Sequence, residues 1–289
     1  MKNEPDLDKI RSNFSTYASG RSTVMIDNIE VLYKKIRDKI FGFDLSVFDD
    51  PIQFCYEAFG MKISREEALE IAKNKQAHKK LWFEKKRTEF DDYINFYSES
   101  LFYIFRQPFL ARYGGYTGGY RWFLQLVDHF NNPQVLEYGC GSAVLTESLL
   151  TNYPEANYSV ADIPSVTLDF IRWKKEKYYY PYRILEIGGG RKGIPLERNY
   201  DLLICRDVLE HTPNPYEIVD EMINHSSPGA VLCIDFLPGG REVYKGENLS
   251  QALKQREDVK RLLKNRTIRL KPIGDEMGDH DGLYVNPWK

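Results

Sequence analysis

Val135-Leu-Glu-Tyr-Gly-Cys-Gly-Ser142 is the stretch on which the reading of this chain turns. A short apolar run ends in two glycines one residue apart, and Ala143 to Asn152 behind it carries a helical pattern. Glycines at a strand-to-helix turn let the backbone approach a ligand where a side chain would collide. The same rhythm continues outward. Tyr158-Ser-Val-Ala161, Tyr182-Arg-Ile-Leu185, Asp201-Leu-Leu-Ile-Cys205 and Ala230-Val-Leu-Cys-Ile-Asp235 read as further strands, with helices expected over Ser165 to Lys177 and Pro215 to His225. The last of these has Asn214 as its cap, Pro215 at its first position, and Ile218, Val219, Met222 and Ile223 on one face. Such alternation predicts an α/β fold, a doubly wound and mostly parallel sheet that binds ligands beyond the carboxyl ends of its strands.

Upstream of about residue 130 the pattern is helical. Ile29, Leu32, Ile36 and Ile40 recur at helical spacing, and Ser64-Arg-Glu-Glu67 has the spacing of a capping box that opens an amphipathic stretch towards Phe90. Phe90 to Phe105 is aromatic and predicted helical, with Gln107-Pro108 as its stop. Arg112-Tyr-Gly-Gly-Tyr-Thr-Gly-Gly-Tyr-Arg121 sets four glycines among three tyrosines and is expected to be a mobile connector. The chain is thus expected to divide into an N-terminal α-helical subdomain over 1–120, serving as lid and substrate pocket, and an α/β domain over 121–289.

Composition narrows the function. The 289 residues are 42% hydrophobic and 28% charged, enough for a sizeable core, and the formal net charge of -2 removes the broad electrostatic case for a nucleic-acid or anionic-membrane binder. No apolar run approaches the roughly 18 residues that span a bilayer, and Met1-Lys-Asn-Glu-Pro5 opens no signal peptide, so a cytoplasmic protein is expected. Cys55, Cys140, Cys205 and Cys233 show no C-x-x-C pairing and sit in apolar stretches, as reduced thiols do. The 20 Tyr, 16 Phe and 4 Trp are a surplus available for lining a pocket.

The residues past the strand ends carry the chemistry. A dinucleotide fingerprint would need a third glycine where Val144 stands, which argues against NAD. Asp162 ends the second strand, where a carboxylate can accept both hydroxyls of a ribose; a capping Asp before Pro164 and Ser165 is the alternative. Leu185-Glu-Ile-Gly-Gly-Gly190 looks like a second glycine loop. Too few residues precede Asp201 for a crossover helix, so it is assigned to strand three and its loop.

Taken together, Leu136-Glu-Tyr-Gly-Cys-Gly-Ser142, Val160-Ala-Asp-Ile-Pro164, Tyr200-Asp-Leu-Leu-Ile-Cys-Arg-Asp-Val-Leu-Glu-His211 and Ser227-Pro-Gly-Ala-Val-Leu-Cys-Ile-Asp235 resemble, in order and spacing, the class I S-adenosylmethionine (SAM) dependent methyltransferases. The resemblance covers roughly residues 120 to 289 and implies a Rossmann-like fold. It implies that Glu137 supports the cofactor loop of Gly139, Cys140 and Gly141, that the glycines make room for the methionine portion, and that Asp162 holds the ribose hydroxyls. Ile163 would lie against the adenine, and Arg206 and Asp207 would border the cofactor through their backbone. Glycines near Ile187 to Gly190 stand where the family often has a polar side chain for the adenine amino group, and can offer it only backbone.

The implied function is methyl transfer from SAM to a small-molecule acceptor such as a sugar, a nucleotide-linked intermediate or a natural-product precursor, with S-adenosylhomocysteine as product and no nucleic acid or membrane as partner. His211 is the candidate general base if the acceptor is a hydroxyl, against a purely structural hydrogen-bonding role; Asp207 and Asp235 are runners-up. Gly274-Asp-Glu-Met-Gly-Asp-His-Asp-Gly282 has metal-ligand residue types but matches no calcium loop, and is read as a solvated hairpin without a metal. Lys254 to Arg269 reads as a solvated helix face with Leu253, Val259, Leu262 and Leu263 buried. An inactive SAM-binding assembly protein and a nucleotide-sugar or dinucleotide enzyme on a similar fold are the alternative classes.

Overall fold

The computed structural model describes residues 44–85, 90–113, 123–124, 126–188, 196, 198–236, 249–271 and 282–287. Its centre is a seven-stranded sheet: β1 (Gln134–Tyr138), β2 (Asn157–Asp162), β3 (Arg183–Glu186), β4 (Tyr200–Cys205), β5 (Ser226–Ile234), β6 (Ile268–Lys271) and β7 (Gly282–Val285), in the order β3-β2-β1-β4-β5-β7-β6. The first five run parallel, and β7 pairs antiparallel with both β5 and β6. Register places the strand ends side by side. Tyr138 pairs with Ala161 and with Cys205, Asp162 with Glu186, and Cys205 with Ile234. The loops starting at Gly139, Ile163, Arg206 and Asp235 therefore emerge along one edge of the sheet. The expected doubly wound, mostly parallel α/β architecture is what forms.

Buried strands in a parallel sheet need apolar residues on both faces, and β4 supplies them. Leu203 and Cys205 enter one core layer, while Leu202 and Ile204 enter the other. Helices α6 (Val144–Asn152) and α7 (Val166–Tyr178) cover one face, and α8 (Pro215–Asn224) and α9 (Ser250–Arg266) the other. Helix α8 opens with Pro215 at its first turn, and its Ile218, Val219, Met222 and Ile223 are buried, as the periodicity required.

The N-terminal helices form a third layer. A 3-10 turn (Leu45–Phe48) leads into α1 (Asp49–Phe59), α2 (Arg65–Lys73), α3 (Lys75–Glu84), α4 (Phe90–Glu99) and α5 (Phe102–Tyr113). Phe48, Phe54, Ile104, Phe105 and Phe109 pack with Val166 and Phe170 of α7, and the Phe54 and Phe170 ring centroids lie 5.3 Å apart. This layer and the sheet domain thus share a core through α7. At its rim, Trp173 Nε1 donates to Glu57 Oε2 at 2.6 Å and Lys177 Nζ bonds Asp50 Oδ1 at 2.9 Å.

Several boundaries differ from the expectation. The Ser64–Glu67 capping box is present, with Ser64 N donating to Glu67 Oε2 at 2.7 Å. Yet α2 ends at Lys73, and a new helix starts after Asn74 instead of one helix running to Phe90. Pro108 does not stop a helix. It lies inside α5, whose buried Ile104, Phe105 and Phe109 hold it against the layer and outweigh the lost backbone hydrogen bond. The charged run to Arg269 ends as helix at Arg266 and continues as β6. Leu253, expected inside, is 43% exposed, while Ala252 and Arg256 turn inwards, the guanidinium donating to Phe236 O at 3.1 Å. The expected helix at Ile29 to Ile40, the glycine-tyrosine segment over 114–121 and the acidic cluster over 275–281 lie outside the described residues. Among the described residues no helix is long and apolar enough to cross a membrane, no group of residues could hold a metal ion, and the four cysteines are free and buried.

One buried ion pair ties α7 to α6 and to the turn after β1. Lys174, 4% exposed, places Nζ 2.5 Å from Glu147 Oε1 and 2.7 Å from Ser142 O. Removing one partner of such a pair strands the other charge in a low dielectric. Lys174→Met is expected to lower unfolding free energy by about 3–5 kcal/mol, and Lys174→Met with Glu147→Leu to recover most of that loss, both read by chemical denaturation.

Candidate active site

The turn after β1 sets the geometry of the site. Gly139 has φ +68° and Gly141 φ +53°, and Ala143 also sits at positive φ, so the backbone curls left-handed three times within five residues. A Cβ on Gly139 would lie 2.2 Å from Val208 Cγ2, and one on Gly141 would lie 2.1 Å from the Gln107 amide. At either position a side chain would be strained by the positive φ and would have to displace Val208 or the Gln107 amide. Gly139 N and Cys140 N both donate to Ala161 O, at 2.8 and 3.2 Å, binding the turn to the end of β2.

Asp162 completes this junction. Its Oδ2 accepts from Gly141 N at 2.7 Å and its Oδ1 from Ile163 N at 2.8 Å. Oδ2 also takes the Cys140 thiol, and Oδ1 keeps a further lone pair for a ligand hydroxyl. Burial pushes the Asp162 carboxyl up to about 6, against the opposing pull of those two amides. Glu137, inside β1, accepts from Thr146 N at 3.0 Å and Thr146 Oγ1 at 2.5 Å, anchoring the start of α6, and burial raises it to about 7. The Cys140 thiol, 3.9 Å from Asp162 Oδ2, is held well above its usual range by burial first and by Asp162 and Glu137 next.

Past β4 the chain turns at Asp207, whose φ is +53°. Asp235 accepts from Asp207 N at 2.6 Å, and its other oxygen lies 3.2 Å from Arg206 Nε. Burial, followed by repulsion from Asp207, raises Asp235 to about 7, while Arg206 pulls it down. Asp235 is only 3% exposed and stands outside the cavity wall, so it braces the β4 loop where a base or turn residue was considered.

These loops form one side of a cavity of about 490 Å³, within the range that holds cofactor-sized ligands. Glu137, Gly139, Cys140, Gly141, Asp162, Ile163, Arg206, Asp207 and His211 all line it. Ile187 faces the same space close to Ile163, an apolar pair suited to a purine ring. The helical layer supplies the opposite side; Tyr93, Tyr97, Phe102 and Tyr103 fall in the aromatic stretch from Phe90 to Tyr120 that sequence read as pocket lining, whereas His78 and Arg106 were not singled out. Trp82, Tyr93, Tyr97, Phe102 and Tyr103 come from α3, α4 and α5, with His78 and Arg106 beside them. Gln107, read from sequence only as part of a helix stop, accepts from Ser142 N at 2.5 Å and so docks α5 onto the glycine turn. His211 and Trp82 meet in a T-shaped contact with centroids 5.4 Å apart, and His211 Nε2 lies 3.8 Å from Glu210 Oε1.

Sheet order with an antiparallel seventh strand, a glycine turn after β1 and a carboxylate ending β2 fit the resemblance to class I SAM-dependent methyltransferases read from the sequence. Residues 111–239 match a family model described as a methyltransferase domain. SAM is the cofactor of this class, and the open lone pair on Asp162 Oδ1, the side-chain-free turn and the cavity volume fit it. Curated relatives include a ubiquinone biosynthesis O-methyltransferase from Colwellia psychrerythraea, 23% identical over 103 residues, or 36% of this chain and 41% of that protein. Another is a malonyl-[acyl-carrier protein] O-methyltransferase from Priestia megaterium, 25% identical over 118 residues, or 40% of this chain and 42% of that protein. The chain thus spans about two fifths of the length of these relatives. Among solved structures, a magnesium protoporphyrin IX methyltransferase from Synechocystis with bound SAM aligns at TM-score 0.41 and 15% identity, covering 76% of this chain and 94% of that one.

Because burial lifts Glu137 above the ordinary carboxylate value, the folded state holds its proton more tightly than the unfolded chain does. The contribution of this group to stability is therefore greatest in acid and falls as pH rises from about 4.5 to about 7. Glu137→Gln keeps an acceptor for Thr146 and should abolish that slope without loss of stability at pH 7.5. Glu137→Ala leaves the Thr146 amide unsatisfied and should cost about 1–3 kcal/mol; thermal melts between pH 5 and 8 compare the two.

Proposed function

We propose that the chain transfers the methyl group of SAM to a small-molecule acceptor seated under the helical layer, releasing S-adenosylhomocysteine. The observation that carries this reading is a single cavity with two unlike halves. Asp162, Ile163 and the glycine turn make a cofactor half on the sheet edge, while aromatic rings from α3, α4 and α5 make an apolar half facing it. Bound SAM supplies an activated methyl group on a sulfonium, so the protein has to align the acceptor and exclude water. In this reading Asp162 accepts the ribose hydroxyls, Ile163 and Ile187 hold the adenine, and the Gly139–Gly141 turn admits the methionine portion. Glu137 and Asp235 hold the loops, and Arg206 and Asp207 border the cofactor through their backbone. The residues before about 120 act as the acceptor pocket and its cover. The near-neutral charge of the chain supports a small organic acceptor over nucleic acid.

Calorimetric titration with S-adenosylhomocysteine tests the cofactor half. Asp162→Ala should weaken binding at least tenfold, the loss of a charged hydrogen-bonding partner being on the order of 1.5–3 kcal/mol. Equal affinity in both proteins would remove Asp162 from the site, and absence of binding by the wild type would remove the methyltransferase reading.

A further inference from the structure

Arg206 leaves the end of β4 beside the glycine turn. Tyr138 pairs with Cys205 in parallel register, so Gly139 and Arg206 follow on neighbouring strands. The guanidinium is held on two sides. Its Nε lies 3.2 Å from Asp235 Oδ2, and its Cζ lies over the ring of the fully buried Phe123, 5.7 Å from the centroid. Asp235 is itself fixed, being 3% exposed with its other oxygen accepting the Asp207 amide at 2.6 Å. A guanidinium carries its N–H donors in a rigid fork, and the contact with Asp235 uses the Nε edge alone. The terminal nitrogens hydrogen-bond no described residue, and the side chain, 24% exposed, belongs to the cavity wall. A preorganised fork of this kind matches both oxygens of a carboxylate.

The charges on the sheet side of the cavity restrict where a ligand carboxylate can go. Glu137, Asp162, Asp207 and Glu210 line this wall, and among the described residues Arg206 is the only Lys or Arg on it. His211, the other basic group there, has Nε2 3.8 Å from Glu210 Oε1. Acidic neighbours attract a sulfonium and an ammonium and repel a carboxylate. SAM and S-adenosylhomocysteine each carry one carboxylate, at the end of the molecule remote from the ribose. From the end of β2, where Asp162 stands, to the end of β4 is two strand spacings across β1, roughly 10 Å. An extended homocysteine portion covers that span. Lys75 and Arg106 belong to the opposite wall, where Arg106 Nη1 donates to Ala72 O at 3.0 Å.

We propose that the Arg206 side chain binds the carboxylate at the amino-acid end of the cofactor, a role beyond its backbone contact and one that rests on the methyltransferase reading above. Asp162 and Arg206 then hold opposite ends of one ligand, with the reactive sulfur in the chain between the two anchored groups. Phe123 and Asp235 touch no part of the ligand and act through Arg206 as positioning residues. The ring supports the guanidinium plane, and Asp235 engages the Nε edge so that the fork is left to the cavity.

The test is calorimetric titration of the full-length protein with S-adenosylhomocysteine, with its carboxamide, in which the carboxylate is replaced by a neutral amide, and with 5′-methylthioadenosine, which lacks the amino-acid end. The wild type should prefer S-adenosylhomocysteine to the carboxamide by about tenfold or more, as a charge-assisted bidentate contact implies. Arg206→Gln should erase that preference, weakening S-adenosylhomocysteine about tenfold or more and leaving the carboxamide and 5′-methylthioadenosine within about twofold, the coupling that a double-mutant cycle reads. Arg206→Lys keeps a charge beside Asp235 without the fork, and should show a smaller loss confined to S-adenosylhomocysteine. Equal wild-type affinity for S-adenosylhomocysteine and its carboxamide would overturn the proposal without recourse to any variant. Unchanged S-adenosylhomocysteine binding in Arg206→Gln would do the same, as would an equal loss for all three ligands in Arg206→Lys, which is what a purely structural role produces. Failure of the wild type to bind either S-adenosylhomocysteine or 5′-methylthioadenosine would instead strike the methyltransferase reading.

Discussion

Everything in the site hangs from the junction of the β1 turn with the end of β2. Gly139 N and Cys140 N bond Ala161 O, and Gly141 N bonds the Asp162 carboxylate, so two neighbouring strands share one left-handed turn. Positive φ at Gly139 and Gly141 is costly for any residue with a Cβ, and the close approach of Val208 and Gln107 adds a steric bar. The parallel register then carries this constraint sideways. Because the strand ends are aligned, placing the β1 turn also places Ile163 after β2 and Arg206 after β4 around the same space.

Buried carboxylates are a recurring cost of this arrangement. Glu137, Asp162 and Asp235 are all pushed upwards by burial, to about 7, 6 and 7. Backbone or hydroxyl donors to each offset part of that cost, and none removes it. Glu137 and Asp162 face the cavity with Arg206 beside them, Asp235 braces the β4 loop from outside it, and each buried carboxyl leaves the strand ends less stable than an apolar equivalent. Local stability is given up where a ligand with hydroxyl donors would restore it. Among the described residues the helical layer contributes Lys75, His78 and Arg106 to the cavity and no carboxylate.

That layer is part of the domain's core. Its phenylalanines pack on α7 through Phe170, Lys174 of the same helix reaches the glycine turn at Ser142 O, and Gln107 caps the adjoining amide. Any shift of α5 relative to the sheet would therefore be felt at the cofactor loop as well as at Tyr103. A cavity whose two halves share hydrogen bonds is suited to coupling acceptor binding with cofactor alignment.

The parallel sheet, its glycine turn and the acidic end of β2 could be read from local sequence, because each depends on residues adjacent in the chain. Period-two and period-3.6 patterns fix which face is buried, and Gly139, Gly141 and Asp162 occupy positions that backbone geometry and strand ends demand. Boundaries set by packing could not be read this way. Pro108 has a strong local preference to end a helix, yet the burial of Phe105 and Phe109 against Phe48 overrides it. Leu253 has an apolar preference that its position on α9 leaves exposed, while Arg256 finds a buried carbonyl. In the apolar half of the cavity the aromatic stretch from Phe90 was legible as pocket lining, but the polar cluster inside it was not. His78, Ser100 and Tyr103 are separated by up to 25 residues and belong to no spacing pattern, and they meet only because α3 and α5 pack against a common aromatic cluster. Sequence settled the sheet and its glycine turn, where structure follows chain neighbours. Which side chains face that turn across the cavity was settled by tertiary packing, since no local pattern records which helices will meet.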